Sequence, residues 1–182
     1  MGLRGRSKYS EADCFFVTTT CYKWYFLLAD DSSKQIICES IDFLNSKYRT
    51  HLLGFVIMPN HLHLILFFPK GNFLSDWMRD LKKFTSVKIR QKIEQSGNIN
   101  LLESLRVPER KQVFKVWEDR FDDVIVSNSK ILNVKLDYIH MNPLQEHWNL
   151  VLSPEDYVYS SARFYEYGNQ PSCTVTHFRE FF

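Results

Sequence analysis

Met58-Pro59-Asn60-His61-Leu62-His63-Leu64-Ile65-Leu66-Phe67-Phe68 is the stretch from which the rest of this chain can be read. Pro59-Asn60 is turn chemistry, and an apolar, strand-like run follows it. Side chains alternate along a strand, so His61, His63 and Ile65 share one face and Leu62, Leu64 and Leu66 the other. The leucine row is core. The histidine row presents two imidazoles about 7 Å apart along the strand, from a rise of ~3.3 Å per residue. That spacing suits two ligands converging on one metal ion, although a His-x-His pair alone is equally compatible with two ordinary hydrogen-bonded side chains.

Working outward, Leu52–Met58 is a second strand and forms an antiparallel hairpin with His61–Phe68 across the turn. Cys14–Tyr22, rich in β-branched and aromatic residues, reads as the first strand. Between them, Ile36, Ile37, Ser40, Ile41 and Leu44 make one helical stripe within Ser32–Tyr48, with Ser32 or Ser33 as N-cap. Pro69-Lys70-Gly71-Asn72 breaks the chain. A long amphipathic helix then runs from Phe73 to about Gln95, its stripe formed by Phe73, Leu74, Trp77, Met78, Leu81 and Phe84. Ser96–Lys111 is expected to be an irregular loop and Asp123–Val126 a last strand. Ser127-Asn128-Ser129 offers N-caps for a helix over Lys130–Met141, closed by Pro143. The element order implies an α+β, ferredoxin-like split βαβ fold: an antiparallel sheet with helices on one face, plus a C-terminal helix. The expected organisation is a single domain, 1–182, with a core of about 10–145 and an aromatic tail over 146–182.

Bulk composition narrows the function classes. The apolar share is 45% and the charged share 24%, values of a globular chain rather than a disordered one. A formal net charge of +2 does not mark a nucleic-acid binder, so any basic surface is local. Cys14, Cys21, Cys38 and Cys173 have no zinc-ribbon spacing and read as reduced thiols. Met1–Lys8 is basic without the apolar run of a signal peptide, and no apolar run is long enough to span a membrane. A cytoplasmic location is expected. No Gly-x-x-x-x-Gly-Lys loop occurs, so nucleotide hydrolysis is not indicated.

The late helix carries Asp137-Tyr138-Ile139-His140-Met141-Asn142-Pro143. Tyr138 and Asn142 are four apart and share a helix face, whereas Leu132, Leu136 and Ile139 form a different stripe suited to pack on the sheet. Asn142 precedes a proline, which pushes a residue out of the α region. Taken singly, Tyr138 reads as packing, Asn142 as a helix stop, and His140, on another face, as a surface residue.

Together these blocks resemble the HUH single-tyrosine transposases, and among them the REP-associated tyrosine transposases. Phe15-Phe16-Val17-Thr18 is similar to the family's first strand and Met58–Ile65 to its metal motif. Leu81-Lys82-Lys83-Phe84-Thr85-Ser86 is similar to the basic helix that follows. Val116-Trp117-Glu118-Asp119-Arg120-Phe121 resembles the segment before the last strand. Tyr138–Pro143 resembles the nucleophile helix, and Tyr157-Val158-Tyr159-Ser160-Ser161 the closing turn.

The resemblance implies that Tyr138 is the nucleophile and that His61 and His63 ligate Mg²⁺ or Mn²⁺, with Asn142 as third ligand. It implies cleavage and rejoining of single-stranded DNA through a 5′-phosphotyrosine link, next to hairpins of repeated extragenic palindromes. Arg79, Lys82, Lys83 and Arg120 are the candidate backbone contacts, with tail aromatics stacking on unpaired bases. The protein would act as a monomer or a homodimer. Its alternative is a domesticated hairpin binder that no longer cleaves; a water-using nuclease is a further rival. The chain departs from the family pattern at Leu144-Gln145-Glu146-His147-Trp148, where a basic, small-residue run is usual. Asp122-Asp123 also replaces a common aromatic, and Ser96–Lys111 is long.

Overall fold

A computed structural model describes residues 13–71, 73–107 and 114–182. The basic Met1–Lys8 segment, Asn72 and Pro108–Lys111 lie outside the described residues. The chain runs β1 (Asp13–Thr20), α1 (Asp31–Tyr48), β2 (His51–Ile57), β3 (His61–Phe68), α2 (Leu74–Gln95), α3 (Ile99–Ser104), β4 (Asp122–Ile125), α4 (Ser129–Met141) and α5 (Ala162–Tyr167). The four strands form one antiparallel sheet in the order β2-β3-β1-β4. This is the ferredoxin-like order expected from the sequence.

The sheet is buried on both faces. Phe15, Val17, Leu62, Leu64 and Leu66 turn toward α1 and α2, where Ile37, Ile41, Leu44, Trp77 and Leu81 complete the larger core. Phe16, Leu53, Val56 and Ile65 turn the other way and meet Leu132, Leu136 and Ile139 of α4. The histidine row therefore lies beneath a helix rather than open to solvent.

Several local readings change. The N-cap of α1 is Asp30, whose Oδ1 accepts from Ser33 N at 2.9 Å; the serines that were expected to cap lie inside the helix. The Ser96–Lys111 segment is not wholly irregular, because Asn98 caps the short α3 by accepting from Leu101 N at 3.1 Å. Asn142 keeps helical angles (φ −57°, ψ −44°) despite Pro143, and a 3-10 turn carries the chain on to Leu144. It thus stays one turn beyond Tyr138 on the same face.

Two contacts fix α4 on the sheet. A Cβ on Gly54 would lie 2.5 Å from Leu136 Cδ2, so the missing side chain is what lets helix and strand approach. Asn128 Oδ1 accepts from Ile131 N at 3.0 Å and starts the helix. The tail then seals β2, the edge strand. Ile57 N donates to Tyr159 O (2.9 Å), Ser161 N to Phe55 O (3.0 Å) and Thr176 N to Leu52 O (2.9 Å). Tyr157 Oη donates to Ile57 O (2.8 Å) and Tyr165 Oη to Leu53 O (2.6 Å). An otherwise unpaired edge is a template for aggregation, and here the tail occupies it. Tyr157, Tyr159 and Tyr165 are therefore edge covers, whereas Tyr167 is well exposed.

Candidate functional site

The turn before His61 is held at both ends by backbone: Cys21 N donates to Asn60 O at 2.8 Å and Leu28 N to Pro59 O at 2.9 Å. This sets the start of β3 against the end of β1, with Thr20 opposite His61 and Thr18 opposite His63. His61 Nδ1 lies 2.7 Å from Asn60 Oδ1. An amide oxygen only accepts, so Nδ1 carries the proton and His61 Nε2 is left with its lone pair. His63 Nδ1 lies 2.8 Å from Thr18 Oγ1, and with Nδ1–H donating there, Nε2 is likewise bare. Such second partners orient a ligating imidazole and choose its tautomer.

The two rings converge, with centroids 4.8 Å apart. The Asn142 side chain lies within hydrogen-bonding reach of His61. Burial pushes His61 down to about 4, an effect that Asn142 partly opposes and the nearby His147 reinforces. Burial likewise pushes His63 to about 3, helped by the charges of His61 and Lys135. Both imidazoles are thus neutral and available as donors at physiological pH. His63 Nε2 and Asn142 Oδ1 are buried with no hydrogen-bond partner. Buried polar atoms are normally satisfied. Two imidazoles side by side, with an amide reaching one of them, are a donor set whose chemistry fits a divalent cation with positions left for phosphate oxygens. Among the described residues no group of three or more His, Cys, Asp or Glu side chains is placed to hold a metal. The amide is what would complete this set.

Tyr138 stands over the pair. Its ring is 5.2 Å from His63 and 5.9 Å from Phe16, edge-on to both. At 45% relative exposure, it is reachable by a large substrate. Sequence reasoning missed several neighbours. Lys135, one turn before Tyr138, holds its ammonium 4.6 Å over the Phe16 ring, so a cation borders the site. Thr18 and Asn60 orient the imidazoles; Asn60 could have been suspected as the residue adjoining His61, whereas Thr18 is found only through strand register.

The other residues expected to act are elsewhere. Arg79, Lys82 and Lys83 lie on α2, across the sheet, and line a groove of about 800 Å³ with Phe114, Trp117 and Phe121. Lys82 is committed locally: it donates to Glu118 O (2.9 Å) and Arg120 O (2.8 Å), and burial lowers it to about 8. Arg79 pairs with Asp76 and Asp80. Lys83 and Arg120 are exposed. His140 is not a surface residue: its Nε2 lies 2.9 Å from Ser161 Oγ, and burial pushes it to about 4. It ties α4 to the tail that seals β2.

The model of the IS200-like transposases matches residues 8–142 of this chain. The chain belongs to that family. A Haemophilus influenzae protein described as a REP-associated tyrosine transposase is 23% identical over 158 residues, which is 76% of this chain and 77% of that protein. A solved structure of a REP-associated tyrosine transposase bound to a REP hairpin superposes with a TM-score of 0.65 at 21% identity, covering 96% of this chain and 92% of the other. That likeness establishes the fold shared with this IS200-like transposase. Among its described residues, no helix is long and apolar enough to cross a membrane.

Proposed function

We propose that this IS200-like transposase cleaves and rejoins single-stranded DNA beside hairpins, through a covalent tyrosine link. The observation that carries the reading is the pair of buried, unpartnered acceptors, His63 Nε2 and Asn142 Oδ1, beneath an exposed Tyr138.

In this reading His61, His63 and Asn142 hold Mg²⁺ or Mn²⁺. The bound ion would polarise the scissile phosphate and offset charge as it develops. The Tyr138 oxygen attacks phosphorus, its proton passing to solvent. The bond to the 3′ oxygen breaks and that oxygen takes up a proton from solvent, giving a 5′-phosphotyrosine and a free 3′-hydroxyl. Attack by another strand's 3′-hydroxyl restores a phosphodiester and the tyrosine, so no nucleotide is consumed. A free tyrosine hydroxyl titrates near 10, so attack at neutral pH needs the help that a bound ion would give to the phosphate. Thr18 and Asn60 hold the imidazoles in the tautomer that donates. Lys83 and Arg120 are proposed phosphate contacts away from the centre, with Arg79 and Lys82 as partly committed neighbours. The substrate would be chromosomal DNA in the cytoplasm.

The test is a denaturing gel with labelled single-stranded hairpin oligonucleotides in Mn²⁺ or EDTA. The expected result is a protein–DNA band that survives denaturation, absent in EDTA and in Tyr138→Phe. Mn²⁺ should also raise the melting temperature of the wild type and leave His63→Ala unmoved, since only a ligand-competent fold gains from binding. Cleavage that persists in Tyr138→Phe would transfer the attack to water.

A further inference from the structure

The end of β1 leads into a single 3-10 turn, Tyr22–Trp24, in which two successive non-glycine residues lie in the left-handed region: Lys23 (φ 50°) and Trp24 (φ 59°). That region is unfavourable for a side chain with a Cβ, yet the turn is firmly tied. Lys23 N donates to Glu118 Oε1 (2.9 Å), Trp24 N to Cys21 O (3.0 Å) and Asn60 Nδ2 to Trp24 O (3.4 Å). What this conformation delivers is a tryptophan that remains 62% exposed, so core burial does not account for it.

Its ring lies 6.4 Å from the His61 ring, and Trp148 lies 5.9 Å from His61. Phe26, also 62% exposed, lies 5.7 Å from Trp148. Trp148 is followed by another left-handed non-glycine residue, Asn149 (φ 45°). Two separate chain segments, one of them bent through two unfavourable residues and the other through an asparagine that accepts the left-handed region readily, therefore bring large aromatic rings to the imidazole that borders the reacting centre. Strain held at the mouth of a site is a mark of function.

Rings at such a mouth accept a flat π-face. The exposed Lys23 beside Trp24 adds positive charge suited to a phosphodiester backbone. We propose that Trp24 and Trp148, with Phe26, form a stacking subsite that seats an unpaired nucleobase of single-stranded DNA next to the scissile phosphate. The subsite rests on the strand-transfer reading for its role, but its occupancy can be tested without any cleavage.

The experiment measures binding of the full-length wild type, in EDTA, to a short labelled oligodeoxythymidylate and to an abasic oligonucleotide of equal length and charge. Stacking is sequence-tolerant, and loss of one stacked base is expected to weaken binding by about fivefold to a hundredfold. Trp24→Ala should lose a similar factor on the base-bearing strand and become indifferent to base removal, while Trp24→Phe keeps most of the discrimination. Because Trp24 is mostly exposed, unchanged melting temperatures should accompany these effects. Equal wild-type affinity for both strands, equal weakening of both by Trp24→Ala, or no binding to either would overturn the proposal. So would loss of a wild-type dimer in Trp24→Ala without base discrimination, which would assign the patch to a second copy of the chain. Base discrimination without a tyrosine adduct would sink the strand-transfer reading alone, and an adduct without discrimination would sink the subsite alone.

Discussion

His63 and Leu64 are neighbours on one strand, both sealed from water at 4% and 0% exposure, and they face two different kinds of interior. Leu64 joins Leu62 and Leu66 under α1 and α2, where apolar side chains complete the packing. His63 joins His61 under α4, where Ile65, Leu132 and Leu136 supply the apolar ground and His63 Nε2 and Asn142 Oδ1 are left unpartnered. The α1/α2 face is built from apolar side chains, although Trp77 Nε1 in it is also buried without a partner. The α4 face leaves two such atoms of metal-ligating type, and an acceptor left open is expected where a ligand satisfies it instead.

The sharpest way to break this comparison is to swap apolar for polar roles on adjacent residues. Leu64→Ala should lose about 2–5 kcal/mol of stability through lost transfer energy and a cavity. His63→Leu should cost less than about 1 kcal/mol, because it removes a buried acceptor that has no partner and leaves only the Thr18 hydroxyl to reorient. Urea unfolding of the two variants checks this. A penalty for His63→Leu as large as that for Leu64→Ala would make the α4 face an ordinary structural core.

Acid should act through the histidine face. His61, His63 and His140 titrate at about 4, 3 and 4 in the folded protein, against an ordinary 6.5. The unfolded chain therefore takes up protons first as pH falls. Stability from these groups is intact above about 6.5 and is lost progressively as pH drops toward 4 and then 3. The expected slope is about 1.4 kcal/mol per pH unit for each histidine. Unfolding midpoints measured across that window should fall, and His63→Leu should fall less steeply.

A further test concerns the seating of α4. Gly54→Ala introduces a Cβ 2.5 Å from Leu136 Cδ2 and should cost about 1–3 kcal/mol as the buried leucine shifts. Because Tyr138 rides on the same helix, adduct formation should fall too, and Leu136→Ala in the same chain should recover part of it. Full adduct yield in Gly54→Ala alone would show that the nucleophile helix tolerates displacement.

Much of the architecture was legible from periodicity. The His61–Phe68 alternation, the stripes of α1 and α2 and the turn at Pro59-Asn60 each follow from one short stretch of chain, so local rules suffice. The misses share a different cause. Asp30 displaced the serines as N-cap because four residues in a row, Asp30-Asp31-Ser32-Ser33, could cap, and only the backbone path selects among them. Asn142 stays helical before Pro143 because the chain continues as a 3-10 turn. Which tail aromatics are buried was not legible, because nothing in their own sequence reveals that β2 is an open edge needing cover.

Residue types, spacing and element order were sufficient to determine the α+β class, the family likeness and the candidates Tyr138, His61, His63 and Asn142. Tertiary structure alone decided that the two imidazoles lie side by side under α4 with Asn142 beside His61, that Thr18 and Asn60 are their Nδ1 partners, and that Lys82 is occupied by carbonyls of a distant segment. It also decided that Trp24 and Trp148 meet beside His61. The division has one physical reason: patterning follows from the period of a single element, whereas a site depends on register and on left-handed turns that bring together residues remote in sequence.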